Sequence, residues 1–309
     1  MSNQPETPGF QSGFVSLLGR PNTGKSTLLN ALVGTKVAIV ADKPQTTRTS
    51  IQGVVTLPGA QIVFLDTPGI HKADTLINKR MMNTVRAALE ERDLLVFVAD
   101  VSRKFGEEDA HALDILKRSA TPALLVLNKI DLLADKAALL PLIEQYRAQH
   151  AFECVVPISA MTGDGLDILR REVVARLPQG PAYFPEDHFT DQPERFLAAE
   201  FIREKILAET REEVPHSVAV LVGAWEETPR LVRVYATVYV EREGQKAILI
   251  GKGGAMMKRV GTLARQEMEA LLGHKIFLDM RVKVHPKWRE QPGFLDTLDW
   301  RTMAGKDES

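Results

Sequence analysis

Residues Gly19–Ser26 constrain the fold of this chain more than any other segment. They read G-R-P-N-T-G-K-S and match the pattern G-x-x-x-x-G-K-[ST] of a phosphate-binding loop. A predicted strand precedes the segment and an amphipathic helical pattern follows it, which is the context that this motif requires. The backbone of such a loop wraps around phosphate groups, and its N–H groups point at the anion. A chance match in a glycine-containing turn is the alternative, and the flanking elements argue against it.

The chain from Phe14 to about Leu177 alternates short apolar runs with helical patterns, which is typical of an α/β sheet with crossover helices. Pro58-Gly59 forms a turn short enough to make the second and third strands an antiparallel hairpin. We therefore expect an α/β domain with a mostly parallel six-stranded sheet, one antiparallel edge strand and helices on both faces. The candidate strands are Phe14–Leu18, Ile51–Leu57, Gln61–Leu65, Leu94–Ala99, Ala123–Leu127 and Val155–Ile158.

The composition excludes several classes of protein. The chain has 309 residues, of which 44% are hydrophobic and 26% charged, so it is neither largely disordered nor collagen-like. Its single cysteine, Cys154, cannot form an internal disulfide, and no Cys/His cluster has the spacing of a zinc site, which favours a reducing compartment. Residues Met1–Gly13 lack the features of a signal peptide and are expected to be a frayed tail. No apolar stretch approaches the roughly 20 residues of a membrane span. We expect a cytoplasmic protein, with peripheral membrane contact left open.

The second part of the chain begins after a segment rich in Pro and Gly, residues 177–185. We predict a first domain at residues 10–178, a linker at 179–190, a second domain at 191–290 and a tail at 291–309. Asp191 and Glu194 have the spacing of a capping box at the start of a helix. The predicted order in the second domain is α-β-β-α-α-β, with later elements at Ser217–Trp225, Leu231–Val240, Ile248–Ile250, about Ala255–Leu272 and Ile276–Val284.

One further motif completes a predicted phosphate and metal site. Asp66-Thr67-Pro68-Gly69 ends the third strand, so Asp66 is expected to hold Mg²⁺ through water and Gly69 to donate its N–H to a γ-phosphate. The Ser26 hydroxyl is a predicted ligand of Mg²⁺, and Lys25 supplies charge for the β- and γ-phosphates. The predicted phosphate contacts are Asn22, Thr23, Gly24, Lys25, Ser26, Thr27 and Gly69.

The residues that follow the fifth strand predict which base is bound. Asn128-Lys129-Ile130-Asp131 places a carboxylate where it can accept from N1–H and the N2 amine of guanine, which adenine lacks. Asn128 is expected to brace the loop, and the Lys129 stem to lie over the ring. Ser159 and Ala160 follow the sixth strand, with the Ala160 N–H directed at O6. The alternative, a solvated turn, is disfavoured by motif order and strand placement.

These motifs resemble those of the translation-factor-like GTPases. Lys43-Pro44-Gln45-Thr46-Thr47-Arg48 is similar to the switch I segment of the Era branch. The resemblance implies that a switch threonine ligates Mg²⁺, which is Thr46 or Thr47, with Thr47 slightly favoured. Ile70 follows Gly69, where many signalling GTPases have a water-orienting glutamine, which implies slow intrinsic hydrolysis. Asn22 resembles an asparagine that binds K⁺ in some relatives, and it could equally cap the loop.

A glycine loop dominates the second domain. Residues Gly251–Gly254 resemble the G-x-x-G loop of a KH domain, which clamps about four nucleotides of single-stranded RNA. The motif alone is weak, but the order α-β-β-α-α-β is similar to that of a type II KH domain, a smaller α+β fold. Residues 246–290 contain ten basic residues and four acidic ones, in a chain of net charge −1. Trp288 either stacks on a base or packs the terminal segment. The predicted RNA contacts are Gly251, Lys252, Gly253, Gly254, Lys258, Arg259, Lys283, His285 and Trp288.

Together the two halves resemble the Era family of bacterial GTPases over Phe14 to about Trp288. The resemblance implies hydrolysis of GTP to GDP with Mg²⁺, binding near the 3′ end of 16S rRNA, and a role in maturation of the 30S subunit. Binding of K⁺ is left open. It also implies peripheral inner-membrane association. We expect no DNA partner, and we expect a monomer because one G domain and one KH domain need no partner to fold. We hypothesise that GTP orders the switch loops and thereby controls RNA binding. The alternatives are a constitutive RNA-binding protein with a structural nucleotide site and a membrane-associated signalling GTPase.

Overall fold

The computed structural model describes residues 9–43, 45–71, 74–90, 92–211 and 214–300. These residues form two compact units. The first contains Met1–Ala38, Thr47–Ala73 and Asn78–Asp191, and the second contains Ile39–Thr46, Asp74–Ile77 and Gln192–Ser309. Two short segments from the sequence of the first predicted domain therefore belong to the second unit. Pro44 of the predicted switch segment and residues 301–309 of the predicted tail lie outside the described residues.

A six-stranded sheet forms the centre of the first unit. Its strands are β1 (Gln11–Leu18), β2 (Ile51–Leu57), β3 (Ala60–Asp66), β4 (Leu94–Asp100), β5 (Ala123–Asn128) and β6 (Val155–Pro157). The strand order is β2-β3-β1-β4-β5-β6, with β2 antiparallel to β3 and the other neighbours parallel. The predicted sheet with one antiparallel edge strand is confirmed.

The sheet brings the ends of four strands together. Every residue of β4 and β5 is buried, as expected for parallel strands covered on both faces. Leu17 pairs with Asp66, and Asp100 pairs with Asn128, so the carboxyl ends of β1, β3, β4 and β5 lie at one edge. The helices of the unit are α1 (Lys25–Val33), α2 (Leu76–Ala87), α3 (Glu107–Leu116), α4 (Leu139–Gln149) and α5 (Leu166–Val174).

Residues 179–190, expected to be a linker, instead pack along the edge of this sheet. The Val54 N–H donates to the carbonyl of Phe189 at 3.0 Å, and the Thr190 hydroxyl donates to the carbonyl of Gln52 at 2.7 Å. The Gln61 side chain bonds the main chain of Phe184 through both its amide nitrogen and its oxygen. The edge strand β2 has backbone groups that no neighbouring strand pairs, and residues of this segment hydrogen-bond to two of them.

The second unit combines a three-stranded sheet with helices. Its elements are α6 (Glu194–Glu209), α7 (Val214–Ser217), β7 (Ala219–Thr228), β8 (Leu231–Val240), α8 (Glu243–Ile250), α9 (Ala255–Leu272), β9 (Ile276–Val284) and α10 (Pro292–Thr297). β8 pairs antiparallel with β7 and parallel with β9. Phe201, Val234 and Met268 belong to the core between the sheet, α6 and α9. The predicted order α-β-β-α-α-β is confirmed, with the additional short helices α7 and α10.

Three boundaries differ from those predicted. Pro193 is the N-cap of α6, because the Asp191 carboxylate is occupied by Gln52 Nε2 at 2.6 Å and by His188 at 2.8 Å, so the predicted capping box is wrong. β1 begins at Gln11, inside the expected frayed tail. Within the expected C-terminal tail, α10 packs the Phe294 ring against Tyr239 with ring centroids 5.0 Å apart. In the described part of the chain, no helix combines the length and apolarity that crossing a bilayer requires.

Candidate functional site

The phosphate loop connects β1 to α1. Gly24 is the N-cap of α1 with φ 91°, a left-handed conformation that favours glycine. The Lys25 ammonium is buried and donates to the carbonyls of Gly19 at 3.2 Å and Arg20 at 3.0 Å. Burial lowers the Lys25 pKa to about 8, against the opposing attraction of Asp66. This buried cation is under-compensated, and a phosphate group would supply the missing negative charge.

Three oxygen-bearing side chains converge beside the loop. The Ser26 hydroxyl lies 2.9 Å from the Thr47 hydroxyl and donates to Asp66 Oδ2 at 2.5 Å. The Thr47 hydroxyl also donates to Asp66 Oδ2, at 3.4 Å. Burial raises the Asp66 pKa to about 6, although Lys25 and these hydrogen bonds lower it. Asp66 Oδ1 is buried and has no hydrogen-bond partner among the described residues. A carboxylate with a vacant oxygen beside two hydroxyls is a donor set that suits Mg²⁺.

The two switch threonines have different surroundings. The Thr46 hydroxyl donates to the carbonyls of Lys43 at 2.6 Å and Ala41 at 3.3 Å, within its own loop. The Thr47 hydroxyl faces Ser26 and Asp66. Of the two side chains, that of Thr47 lies beside Ser26 and Asp66, and that of Thr46 does not.

The loop after β3 lies directly against the phosphate loop. A Cβ on Gly69 would lie 2.6 Å from Cα of Pro21, so only glycine fits at this position. The Ile70 N–H donates to the carbonyl of Gly19 at 3.1 Å, which ties the two loops together. The Ile70 side chain is buried in the core below. An isoleucine side chain has no group that can hydrogen-bond a water.

Asn128 organises the predicted base pocket. It is buried, and its Nδ2 donates to the carbonyl of Thr23 at 2.8 Å, so it braces the phosphate loop. Its Oδ1 accepts from the N–H of Lys129 at 2.8 Å and from the N–H of Ala160 at 2.9 Å. The amide expected to face guanine O6 is therefore bonded to Asn128 here. Ser159 is buried and accepts from the Thr162 N–H at 3.1 Å, which shapes the loop rather than opening toward a ligand.

Lys129 and Asp131 differ in how they are held. Lys129 has left-handed φ 73°, and its Nζ donates to the carbonyl of Asn22 at 2.8 Å and to Asp100 Oδ2 at 2.7 Å. Asp131 is exposed, and its carboxylate is accessible to a base. Asp100 was not among the predicted site residues, although it directly follows the apolar run Leu94–Ala99, at the carboxyl end of a parallel strand.

The glycine loop of the second unit lies between α8 and α9. Gly251, Gly253 and Gly254 all have positive φ, and Gly254 is the N-cap of α9. Lys252 and Lys258 are exposed and form no ion pair with any residue that the structure describes. The loop thus presents close-approach backbone, a helix N-terminus and two available cations, which together suit a phosphate backbone.

A groove of about 320 Å³ runs beside this loop, between α9 and β9. Met257, Leu278 and Met280 supply its apolar lining, and Lys258 and Arg265 supply charge. An apolar floor with basic margins suits unstacked bases whose phosphates lie at the rim. Arg259, a predicted RNA contact, has its Nε 3.0 Å from Glu209 Oε1, so its charge is partly compensated.

Three of the predicted RNA contacts are not brought to this groove. Side chains alternate along a strand, and Leu278 and Met280 face α9, so Lys283 lies on the opposite face of the sheet. The His285 ring packs against Phe294 and bonds Gln291 at 2.8 Å. Trp288 is 0% exposed and donates its indole N–H to the Ser217 carbonyl at 2.9 Å. Base stacking by Trp288 is therefore wrong, and the packing alternative is correct.

Family models and sequence relatives agree with this geometry. The model described as "50S ribosome-binding GTPase" matches residues 14–129, and the model described as "KH domain" matches residues 213–289. GTPase Era of Geobacter metallireducens is 49% identical over 302 residues, which cover 97% of this chain and 100% of the relative. GTPase Era of Heliobacterium modesticaldum is 50% identical over 287 residues, covering 93% of this chain and 96% of the relative.

Solved structures give the same result. Era from Aquifex aeolicus bound to GDP and AlF4⁻ superposes with a TM-score of 0.91 at 40% identity, covering 94% of this chain and 99% of the solved chain. An Era structure in complex with MgGDPNP and nucleotides 1506–1542 of 16S ribosomal RNA matches with the same score, identity and coverage. The chain is a GTP-binding GTPase with a C-terminal KH domain, and it belongs to the Era family.

Proposed function

We propose that this chain binds the 3′ end of 16S rRNA through its KH domain, acts in maturation of the 30S subunit, and changes its RNA affinity with the nucleotide that it holds. The Era relative solved with 16S rRNA nucleotides supports the choice of RNA. The available charges of Lys252 and Lys258 beside an apolar groove support single-stranded RNA as the ligand.

One observation carries the proposed nucleotide control: residues Ile39–Thr46 belong to the unit that contains the KH domain. Ile39 is 3% exposed in the core of that unit. The Val40 N–H donates to Glu204 Oε1 at 2.8 Å, and the Arg203 guanidinium donates to the carbonyl of Thr46. The next residue in the chain is Thr47, a proposed metal ligand. Because Thr47 is covalently joined to Thr46, a change in the position of Thr47 displaces a segment that belongs to the KH unit.

The nucleotide site acts by positioning charge. Lys25 and the N–H of Gly69 are proposed to hold the β- and γ-phosphates, and Asp131 to select guanine. Ser26 and Thr47 are proposed to bind Mg²⁺ directly, and Asp66 through water. A bound Mg²⁺ would supply positive charge beside the phosphate oxygens. Ile70 provides no polar group for the attacking water. Hydrolysis then depends on the contacts proposed for Lys25 and the Gly69 N–H, and we expect slow intrinsic turnover.

The role of Asn22 is proposed to be structural. Its φ is 62°, and its carbonyl accepts from Lys129 Nζ at 2.8 Å, so it links the phosphate loop to the base loop. Binding of K⁺ by Asn22 predicts a different result, a GTPase rate that is markedly faster in KCl than in NaCl. The structural role predicts equal rates.

The RNA site is tested by two variants with the same change of charge. Lys252 lies in the glycine loop, and Lys283 lies on the opposite face of the KH sheet. We expect Lys252→Asp to weaken binding of a 16S rRNA 3′-end oligonucleotide by at least about tenfold and Lys283→Asp to have a much smaller effect. Two results would favour binding governed by total charge, and with it a membrane-associated signalling GTPase. One is an equal loss of RNA affinity in both variants, and the other is an equal loss of binding to anionic vesicles.

A further inference from the structure

A chain of alternating charges links the base loop to the phosphate loop inside the G domain. Lys129 Nζ donates to Asp100 Oδ2 at 2.7 Å, and the same carboxylate oxygen lies 3.9 Å from the Arg20 guanidinium. On its other side, Arg20 Nε donates to Asp109 Oδ1 at 3.0 Å. Asp109 Oδ1 also accepts from the Tyr146 hydroxyl at 2.8 Å. Two cations and two carboxylates thus alternate and balance.

Five different elements contribute to this network. Lys129 follows β5, Asp100 ends β4, and Arg20 belongs to the phosphate loop. Asp109 lies in the first turn of α3, and Tyr146 lies in α4. Arg20 is 89 residues from Asp109, and Lys129 is 29 residues from Asp100, so their convergence is a property of the fold.

The network is largely withdrawn from water. The side chains of Arg20, Asp100 and Asp109 are 4%, 2% and 6% exposed. Burial alone would raise the Asp100 pKa, but hydrogen bonds from Lys129 and Ser102 outweigh it and leave that pKa below its usual value. Burial and the adjacent Asp109 raise the Tyr146 pKa, so its hydroxyl remains a donor. Loss of one member leaves its partner charged and unpaired in a buried place.

The network includes the part of the phosphate loop whose carbonyls accept hydrogen bonds from Lys25 and Lys129. The Arg20 carbonyl accepts from Lys25 Nζ at 3.0 Å, and the Asn22 carbonyl accepts from Lys129 Nζ at 2.8 Å. The side chain of Arg20 is fixed by Asp109 from behind. A displacement of Arg20 therefore reaches Lys25 through its own backbone and Lys129 through Asp100.

We propose that Asp100 and Asp109 are positioning residues that lock the guanine loop and the phosphate loop to each other, so that base discrimination depends on α3 and α4. The inference rests on the proposed roles of Lys25, Lys129 and Asp131 in nucleotide binding. Asp109 is remote from Lys129 and is predicted to affect recognition of the base only through Arg20 and Asp100.

The test compares full-length variants in binding GDP and IDP, which lacks the N2 amine that Asp131 recognises. Asp109→Asn is expected to speed GDP dissociation about tenfold and to lower the ratio of GDP to IDP affinity. Asp100→Asn should do the same. Asp93→Asn is the matched control, because Asp93 Oδ2 accepts from the Phe14 N–H at 2.7 Å near the opposite end of the sheet. It should change thermal stability without changing the GDP to IDP ratio.

Asp109→Asn removes the negative charge beside the buried Arg20 and can prevent folding, so Tyr146→Phe is the second variant. It removes one hydrogen bond and keeps the ring that packs on Phe97 and Phe105. A fall in the GDP to IDP ratio of about twofold is expected. An unchanged ratio in Tyr146→Phe and in every other folded variant of the network, with wild-type protein preferring GDP, overturns this inference alone. A wild-type protein without preference for GDP over IDP would instead overturn the proposed nucleotide site.

Discussion

Arg203 donates a hydrogen bond from its guanidinium to the main-chain carbonyl of Thr46. The guanidinium is 2% exposed and is held by Glu200, with Nε 2.7 Å from Glu200 Oε1. Thr46 precedes Thr47, whose hydroxyl lies 2.9 Å from that of Ser26 in the phosphate loop. Thr46, within the switch segment, is thus hydrogen-bonded to an arginine of the KH unit.

Replacement of Arg203 by Met should uncouple the two sites. We expect GTP binding and RNA binding each to persist, while the difference in RNA affinity between GTP-analogue and GDP states falls toward zero. Loss of the buried hydrogen bonds should also destabilise the protein by about 1–3 kcal/mol. RNA titrations in both nucleotide states measure the coupling, and Arg233→Met, on β8, is the control for an arginine removed from the same unit. Undiminished nucleotide dependence in Arg203→Met would show that this contact does not transmit the signal.

The two switch threonines should separate in a matched pair of variants. Thr47→Val removes one of the oxygens that converge on Asp66, so GTP hydrolysis should require a higher Mg²⁺ concentration and fall by at least about tenfold. Thr46→Val breaks only contacts to Lys43 and Ala41 and should leave the Mg²⁺ dependence unchanged. Mg²⁺ titrations of the GTPase rate measure both. If Thr46→Val were the more damaging of the two, the metal would be assigned to the wrong threonine.

Substitution of Asp131 by Asn should change which base is accepted. The exposed carboxylate is the proposed acceptor for N1–H and the N2 amine, and an amide in its place can donate to the O2 of xanthine. We expect GDP affinity to fall at least about a hundredfold and the preference to move toward xanthosine diphosphate. Competition binding with the two nucleotides checks this. Asp167→Asn, an exposed carboxylate on α5, is the control and should retain the preference for guanine.

Trp288 should contribute to stability and not to RNA contact. The side chain is buried and bonded to the Ser217 carbonyl, so Trp288→Phe loses a hydrogen bond and part of the packed volume. A loss of about 1–3 kcal/mol in the free energy of unfolding is expected. RNA affinity of the folded variant should equal that of the wild type, by titration well below its Tm. A stable variant with weakened RNA binding would restore Trp288 to the RNA site.

Local patterns predicted most of the elements. Apolar runs and helical periodicity predicted all six strands of the first sheet. The predicted bounds of α9 and β9 are the same as those in the structure. The convergence of Lys25, Asp66 and Asn128 also followed from the sequence, because parallel strands share a carboxyl edge. Motifs of this kind are local in sequence or depend on a general rule of sheet geometry.

The features that were missed depend on contacts between distant parts of the chain. Ile39 lies within the sequence of the first predicted domain, yet its side chain is buried in one core with residues of α6. Asp191 has the right spacing for a helix cap, but Gln52 occupies its carboxylate. Arg20 and Asp109 meet only in the folded protein. The prediction of Lys283 as an RNA contact rested on its charge, whereas strand alternation puts it on the opposite face from Leu278 and Met280.

The most direct test of nucleotide control is the affinity of the full-length protein for a 16S rRNA 3′-end oligonucleotide, measured with a non-hydrolysable GTP analogue, with GDP and without nucleotide. Ile39 and Thr46 are buried, and Ile39–Thr46 belong to the KH unit, which predicts tighter binding with the analogue than with GDP, by about fivefold or more. Equal affinity in all three states would contradict the account and leave two independent modules on one chain.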